Sequence, residues 1–192
     1  MKWVSLRRYL MRDVLGILIR RERPRAWIRF CFNKFERREV TGAEIGVCEG
    51  YNARDIMDNL NIKELYLIDP YEEYKDLNDL NPQMDWAEKK ARRMLYKYEH
   101  YCKWIKKYSA NAVKEIPMVD FVYIDGNHAY NFVKEDIKLY WNKLNEGGVL
   151  AGHDIENGNC QEHDGVTKAV INFAVANKLK LYIHAPDWWI VK

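Results

Sequence analysis

The chain has 192 residues, 48% of them apolar and 14% aromatic, with a formal net charge of +3. That length and composition suit one domain with a sizeable core and exclude a disordered or low-complexity chain. The charge is uneven: residues 1–38 carry twelve Lys and Arg against three acids, a surplus of +9, and the remainder stands at −6.

In chain order, residues 3–19 read as a helix, with Trp3, Leu6, Leu10, Val14, Ile17 and Leu18 recurring at three and four. Arg7, Arg8, Arg12 and Asp13 interrupt this run, so it is no secretory leader. Val14 to Ile19 is too short to span a bilayer. Past Pro24, residues 25–38 read as a second basic helix with Trp27, Phe30, Cys31 and Phe35 on its apolar side. Residues 1–38 are thus a basic helical arm and 39–192 the main domain.

Strands and helices then alternate. Strands are expected at 43–47, 64–69, 102–108, 119–125 and 147–152. Helices are expected at 52–60, 86–98, 109–116, 130–144 and 165–178. A terminal hairpin, 179–184 and 187–192, turns around Ala185-Pro186. This order predicts an α/β fold with a mostly parallel sheet. Residues 71–84 and 154–164 read as loops. Cys31, Cys48, Cys102 and Cys160 form no CxxC pair and match no zinc or disulfide spacing, so they read as reduced thiols in a cytoplasmic protein.

Three stretches carry chemistry. Glu44-Ile45-Gly46-Val47-Cys48-Glu49-Gly50 joins the first strand to a helix. Gly46 and Gly50 permit close backbone approach, and the helix offers free N–H groups, which suits a nucleotide-like ligand. Cys48 stands at the second glycine of a GxGxxG pattern and no GKS/T follows, so neither dinucleotide fingerprint nor P-loop is present. A plain strand-to-helix turn fits the same residues. Asp69, about 20 residues on, is placed to accept from ribose hydroxyls, or serves as a turn former before Pro70.

Asp125 ends the fourth strand, and His153-Asp154 end the fifth. Neighbouring parallel strands bring these ends together, so the three can converge on one divalent cation. Carboxylates and water suit Mg²⁺, and an added imidazole tilts the set toward Mn²⁺, Fe²⁺ or Zn²⁺. His128, three residues past Asp125, has the imidazole that a general base needs at neutral pH. The structural alternatives are a His128 that bonds a nearby carbonyl, a His153 that only orients Asp154, and an Asp154 that caps a turn. Asp164 reads as the N-cap of the 165–178 helix, His163 stays open, and His100 and His184 take no role.

With Leu67-Ile68-Asp69-Pro70, Tyr123-Ile124-Asp125-Gly126-Asn127-His128-Ala129-Tyr130 and Gly147-Gly148-Val149-Leu150-Ala151-Gly152-His153-Asp154, these motifs occur in one order. Over roughly residues 40–192 the chain resembles the class I S-adenosylmethionine-dependent methyltransferases. It is most similar to their small-molecule and sugar O-methyltransferase branch, of the macrocin and mycinamicin type. The resemblance implies a Rossmann-like seven-stranded sheet with helices on both faces and an antiparallel final strand. It implies that Glu44, Gly46 and Gly50 line the methionine end of the cofactor. Asp69 would hold the ribose, Tyr108 or Ser109 would lie near the adenine, and Asp125 would border the cofactor. In that branch an aspartate at the Asp125 position and two adjacent acids at 153–154 hold Mg²⁺, a pattern from which His153 departs. A histidine three residues after the metal aspartate acts as base, which matches His128.

The expected function is O-methylation of a small hydroxylated acceptor, such as a sugar or glycan precursor, with a divalent cation. Rivals are an RNA or protein methyltransferase guided by the basic arm, and a non-catalytic binding protein on the same fold. An N/DPPY signature is absent after the fourth strand, which counts against base N-methylation. Tyr71, Tyr74, Trp86, Tyr130, Trp188 and Trp189 are either acceptor-pocket or core residues, and the 71–84 loop is a candidate lid. The arm has three readings, in falling order: packing on the body or in a homo-oligomer, lying on an anionic membrane surface, and nucleic-acid binding.

Overall fold

The computed structural model describes residues 24–72, 84–155 and 164–192. The helix expected at 3–19, most of the 71–84 loop including Tyr74, and Cys160 and His163 lie outside the described residues.

The elements are α1 (Ala26–Lys34), β1 (Val40–Ile45), α2 (Tyr51–Asn59), β2 (Ile62–Ile68), α3 (Met84–Met94), β3 (Cys102–Ile105), α4 (Ser109–Ala112), β4 (Val119–Ile124), α5 (Tyr130–Trp141), β5 (Leu144–Gly152), α6 (Asp164–Ala176), β6 (Leu181–His184) and β7 (Asp187–Val191). The strands form one seven-stranded sheet in the order β3-β2-β1-β4-β5-β7-β6. Strands β1 to β5 pair in parallel, while β7 runs antiparallel to both β5 and β6. This is the Rossmann-like sheet with a reversed terminal hairpin that the strand–helix alternation and the motif order predict.

All six residues of β4 are buried, because helices cover both faces of the sheet. Alternate residues of β4 serve opposite layers. Phe121 and Tyr123 join a core with Trp27, Ile28, Cys31 and Phe35 of α1 and its C-terminal flank, and with side chains of α2 and α3. Val122 and Ile124 join a second core with Val133, Ile137 and Tyr140 of α5 and Val166, Val170 and Ala174 of α6. The helix after Pro24 thus packs on the sheet: Trp27 stacks on Tyr123 with ring centroids 4.7 Å apart, and Trp27, Ile28 and Cys31 are fully buried.

Several boundaries differ from expectation for local reasons. β1 begins at Val40 and ends at Ile45 rather than spanning 43–47. Its early Gly42 is required because a Cβ there would overlap the Phe121 ring. The strand stops at Gly46, whose φ of 82° leaves the extended region. β5 starts at Leu144, since Leu144 pairs with Val119 ahead of the glycine pair. The 102–108 strand stops at Ile105. The 86–98 helix is α3 followed by a 3₁₀ turn, Tyr96–Tyr101. The short 109–116 helix closes at Ala112.

Candidate active site

The parallel strands end level. Ile45 pairs with Ile124, and Ile124 with Gly152. A row of backbone bonds continues past the ends: Gly46 N–H donates to Ile68, Asp125 N–H to Ile45, and His153 N–H to Ile124. Asp69, Gly46, Asp125 and His153 therefore emerge side by side at the carboxyl edge, where open parallel sheets bind ligands.

The first loop packs tightly against β4. A Cβ on Gly46 would overlap the Asp125 carbonyl and come 2.8 Å from the Gly126 nitrogen. Gly50, at φ 81°, caps α2 from the left-handed region. Asp69 is engaged by this loop: Oδ2 accepts from Val47 N–H and Cys48 N–H, both at 2.9 Å, and Oδ1 from Tyr71 N–H at 2.8 Å. Burial raises its pKa, and the three backbone bonds oppose the rise. They use three of roughly four carboxylate lone-pair sites, so one accepting position remains.

Glu44 lies one residue before the end of β1 and is 1% exposed. Its Oε1 accepts from Asn52 Nδ2 at 3.1 Å, while its buried Oε2 has no hydrogen-bond partner among the described residues. Burial pushes the carboxyl up to about 8. A buried carboxylate oxygen without a donor is costly in isolation, and a bound cationic group such as an α-ammonium would supply the donor.

The second cluster gathers Asp125, His128, His153 and Asp154. His128 Nε2 lies 3.2 Å from Asp154 Oδ2 and 4.0 Å from Asp125 Oδ1. His153 Nδ1 lies 2.9 Å from Asp154 Oδ2 and 3.8 Å from Asp125 Oδ1. Asp154 adopts a left-handed φ of 62°, a conformation aspartate tolerates better than most residues, next to the two imidazoles. Burial raises the pKa of Asp125, and the neighbouring Asp154 charge raises it further against the two histidines. Burial alone would lower His153, but its bond to Asp154 and the charge of Asp125 outweigh that and raise it. Asp125, His128 and Asp154 offer ligand atoms within 4.8 Å of one another, a group that takes in His128 and not the expected His153; its two carboxylates suit a divalent cation and leave the His128 imidazole for proton transfer.

Tyr108 and Ser109 lie at the far side of the same edge, after β3. Tyr108 is half exposed and its hydroxyl donates to Glu72 at 2.6 Å. The Ser109 carbonyl accepts from the buried Tyr140 hydroxyl at 2.9 Å. Of the aromatic candidates, Tyr71, Trp188 and Trp189 are buried, while Trp86 is half exposed. Trp188 is a core residue that also serves the site, donating from Nε1 to the His153 carbonyl at 3.2 Å.

Three contributors carry no signal of their role in the sequence. Arg25, just before α1, and Asp187, at the start of β7, form a bidentate ion pair, with Nε to Oδ2 at 2.9 Å and Nη2 to Oδ1. Gly165, the second residue of α6, lies directly over His128: a Cβ there would overlap the His128 carbonyl oxygen. The glycine is recognisable as a helix-start residue, but no local signal ties Arg25 to Asp187, 162 positions away.

Comparison with known proteins agrees with this geometry. A family model described as "Methyltransferase domain" matches residues 43–155, more than half of the chain. An uncharacterized protein of Acanthamoeba polyphaga mimivirus is 29% identical over 133 residues, 65% of this chain; the chain spans 55% of that relative's length. Among solved structures, the O-methyltransferase from Bacillus cereus in complex with SAH superposes with a TM-score of 0.60 at 12% identity, covering 100% of this chain and 92% of that one. The O-methyltransferase NovP gives a TM-score of 0.62 at 15% identity, covering 86% of this chain and 77% of that one. With a level strand edge, a glycine loop and an Asp–His cluster in place, the chain belongs to the methyltransferase-domain family and carries the domain of an S-adenosylmethionine-dependent methyltransferase.

Proposed function

We propose that the protein methylates a hydroxyl oxygen of a small acceptor, a sugar or glycan precursor, using S-adenosylmethionine and a divalent cation. The observation that carries this reading is His128, whose Nε2 sits 3.2 Å from Asp154 and beside Asp125 at the edge where the glycine loop opens. Bound S-adenosylmethionine supplies an activated methyl group, and a divalent cation supplies a positive charge that acidifies a hydroxyl.

Glu44, Gly46 and Gly50 would hold the methionine end, Asp69 the ribose, and Tyr108 and Ser109 the adenine side. Asp125 and Asp154 would hold the cation, with His153 bonded to Asp154 to fix its orientation. His128 would accept the acceptor's proton, and its neighbouring carboxylates would stabilise the imidazolium so formed. The absence of an N/DPPY run after β4 supports oxygen over a base nitrogen.

The test is calorimetric titration with S-adenosylhomocysteine, with and without Mg²⁺ or Mn²⁺, followed by methyl transfer to a panel of hydroxylated acceptors. Binding weakened by Asp69→Ala, together with turnover abolished in His128→Ala, supports the reading. No binding under any metal condition sinks it.

A further inference from the structure

Glu44 does not stand alone. Its partner Asn52 has both ends of its amide committed: Oδ1 accepts from Arg25 Nη1 at 2.9 Å, and Nδ2 donates to Glu44 Oε1 at 3.1 Å. An amide can serve a guanidinium only through its oxygen, so Arg25 dictates that the Asn52 nitrogen faces Glu44. Arg25 is itself held by Asp187 at the start of β7, whose Oδ1 also accepts from the Tyr123 hydroxyl at 2.8 Å. The guanidinium lies over the Tyr123 ring, 5.2 Å from its centroid. Tyr123 is the cross-strand partner of Glu44, so the relay returns to the strand pair from which it acts.

Apart from the part-buried Arg25, every polar side chain in this circuit is buried. Glu44, Asn52 and Asp187 are 1%, 9% and 4% exposed. One buried atom of the circuit, Glu44 Oε2, has no donor among the described residues. Such an arrangement is costly for a purely structural network and is suited to a site that waits for a cation.

We propose that Arg25 is a positioning residue for the cofactor: acting through Asn52, it orients Glu44 so that Oε2 receives the α-ammonium of S-adenosylmethionine. This rests on the methyltransferase reading above. It makes the residue that opens α1 and the start of β7, both outside the matched residues 43–155, supports of the cofactor site.

The experiment compares two ligands on the full chain. S-adenosylhomocysteine carries the amino-acid tail, while 5′-methylthioadenosine shares its nucleoside and thioether and lacks the ammonium. Asn52→Ala and Arg25→Ala are titrated with both. Loss of about tenfold or more in affinity for S-adenosylhomocysteine, with 5′-methylthioadenosine affinity held within about twofold, is the expected result. Affinities that fall in parallel for the two ligands, or an S-adenosylhomocysteine affinity that does not change, overturn the proposal. Because Arg25→Ala strands the Asp187 carboxylate, Arg25→Ala/Asp187→Asn is read alongside it. If neither Arg25 variant folds, Asn52→Ala decides alone, since it breaks the relay and leaves the Arg25–Asp187 ion pair in place. A wild-type protein that binds neither ligand refutes the methyltransferase reading itself, an outcome distinct from wild-type binding with unselective variants.

Discussion

Gly165 lies on the backbone of His128: a Cβ at 165 would overlap the His128 carbonyl and stand 2.7 Å from the Tyr130 nitrogen. The start of α6 therefore packs directly on the His128 loop. Gly165→Ala has no room unless one of the two segments moves. The expected result is a loss of about 1–3 kcal/mol in stability, as for other over-packed sites. Turnover should fall by up to about a hundredfold through misplacement of the imidazole, with cofactor affinity little changed. Urea unfolding and steady-state kinetics on the same variant check both parts, and unchanged turnover would detach α6 from the site.

His128 itself is tested by substitution. His128→Ala should lower kcat by about 10²–10⁴-fold, the usual range for loss of a general base. Its affinity for S-adenosylhomocysteine should stay close to wild type, because none of the proposed cofactor contacts involves the imidazole. His153→Ala should instead act through metal dependence: Asp154 loses the 2.9 Å partner that orients it, so the variant should need more Mg²⁺ or Mn²⁺ for half-maximal activity. A His128→Ala enzyme at full speed, or a His153→Ala enzyme with unaltered metal response, contradicts these roles.

Much of this site is legible in the amino-acid sequence, for a definite reason. Parallel neighbours whose last residues pair, as Ile124 and Gly152 do, end level, so the residues that follow these apolar runs, Asp125 and His153, meet. The glycine loop and Asp69 are legible because their spacing reflects the same strand ends. What Asp69 does is less so. The sequence shows a carboxylate near a turn, and only the fold shows the Val47, Cys48 and Tyr71 amides already bound to it. The relay through Arg25 and Asp187 is non-local and leaves no periodic trace. The aromatic set stays open in the sequence for another reason: tryptophan is used both in cores and at binding faces, and burial assigns Trp188 to the core.

Asp136, on α5, is 4% exposed, and burial pushes its carboxyl up to about 6, while a hydrogen bond with Ser109 holds it back. The unfolded chain releases this proton near pH ~4. Between about pH 4 and 6 the native state therefore holds more protons than the unfolded state, and stability falls as pH rises through that window. Above about pH 6 the deficit is complete, roughly 3 kcal/mol for a difference of two pK units. Asp136→Asn removes the charge and keeps an acceptor for Ser109. It should be more stable than wild type at about pH 7.5, with the difference vanishing near pH ~4. Urea midpoints across that range decide the matter, and a pH-independent difference would show that burial of this carboxyl carries no such cost.

Glu44 gives the corresponding prediction for binding. With its carboxyl pushed up to about 8, the free protein holds that proton at a pH of roughly 6.5. An ammonium placed on Oε2 favours the carboxylate, so the bound state should lose it. Cofactor binding at that pH should then release close to one proton, and affinity should rise by at most about tenfold per pH unit until it levels near pH ~8. Calorimetry in buffers of different ionisation enthalpy counts the protons directly. Glu44→Gln should abolish the release and flatten the profile in the acid range, because the amide cannot ionise. Proton release that persists unchanged in Glu44→Gln would move the titrating group elsewhere, with Asp125, the acid whose charge acts most strongly on Glu44, the first candidate.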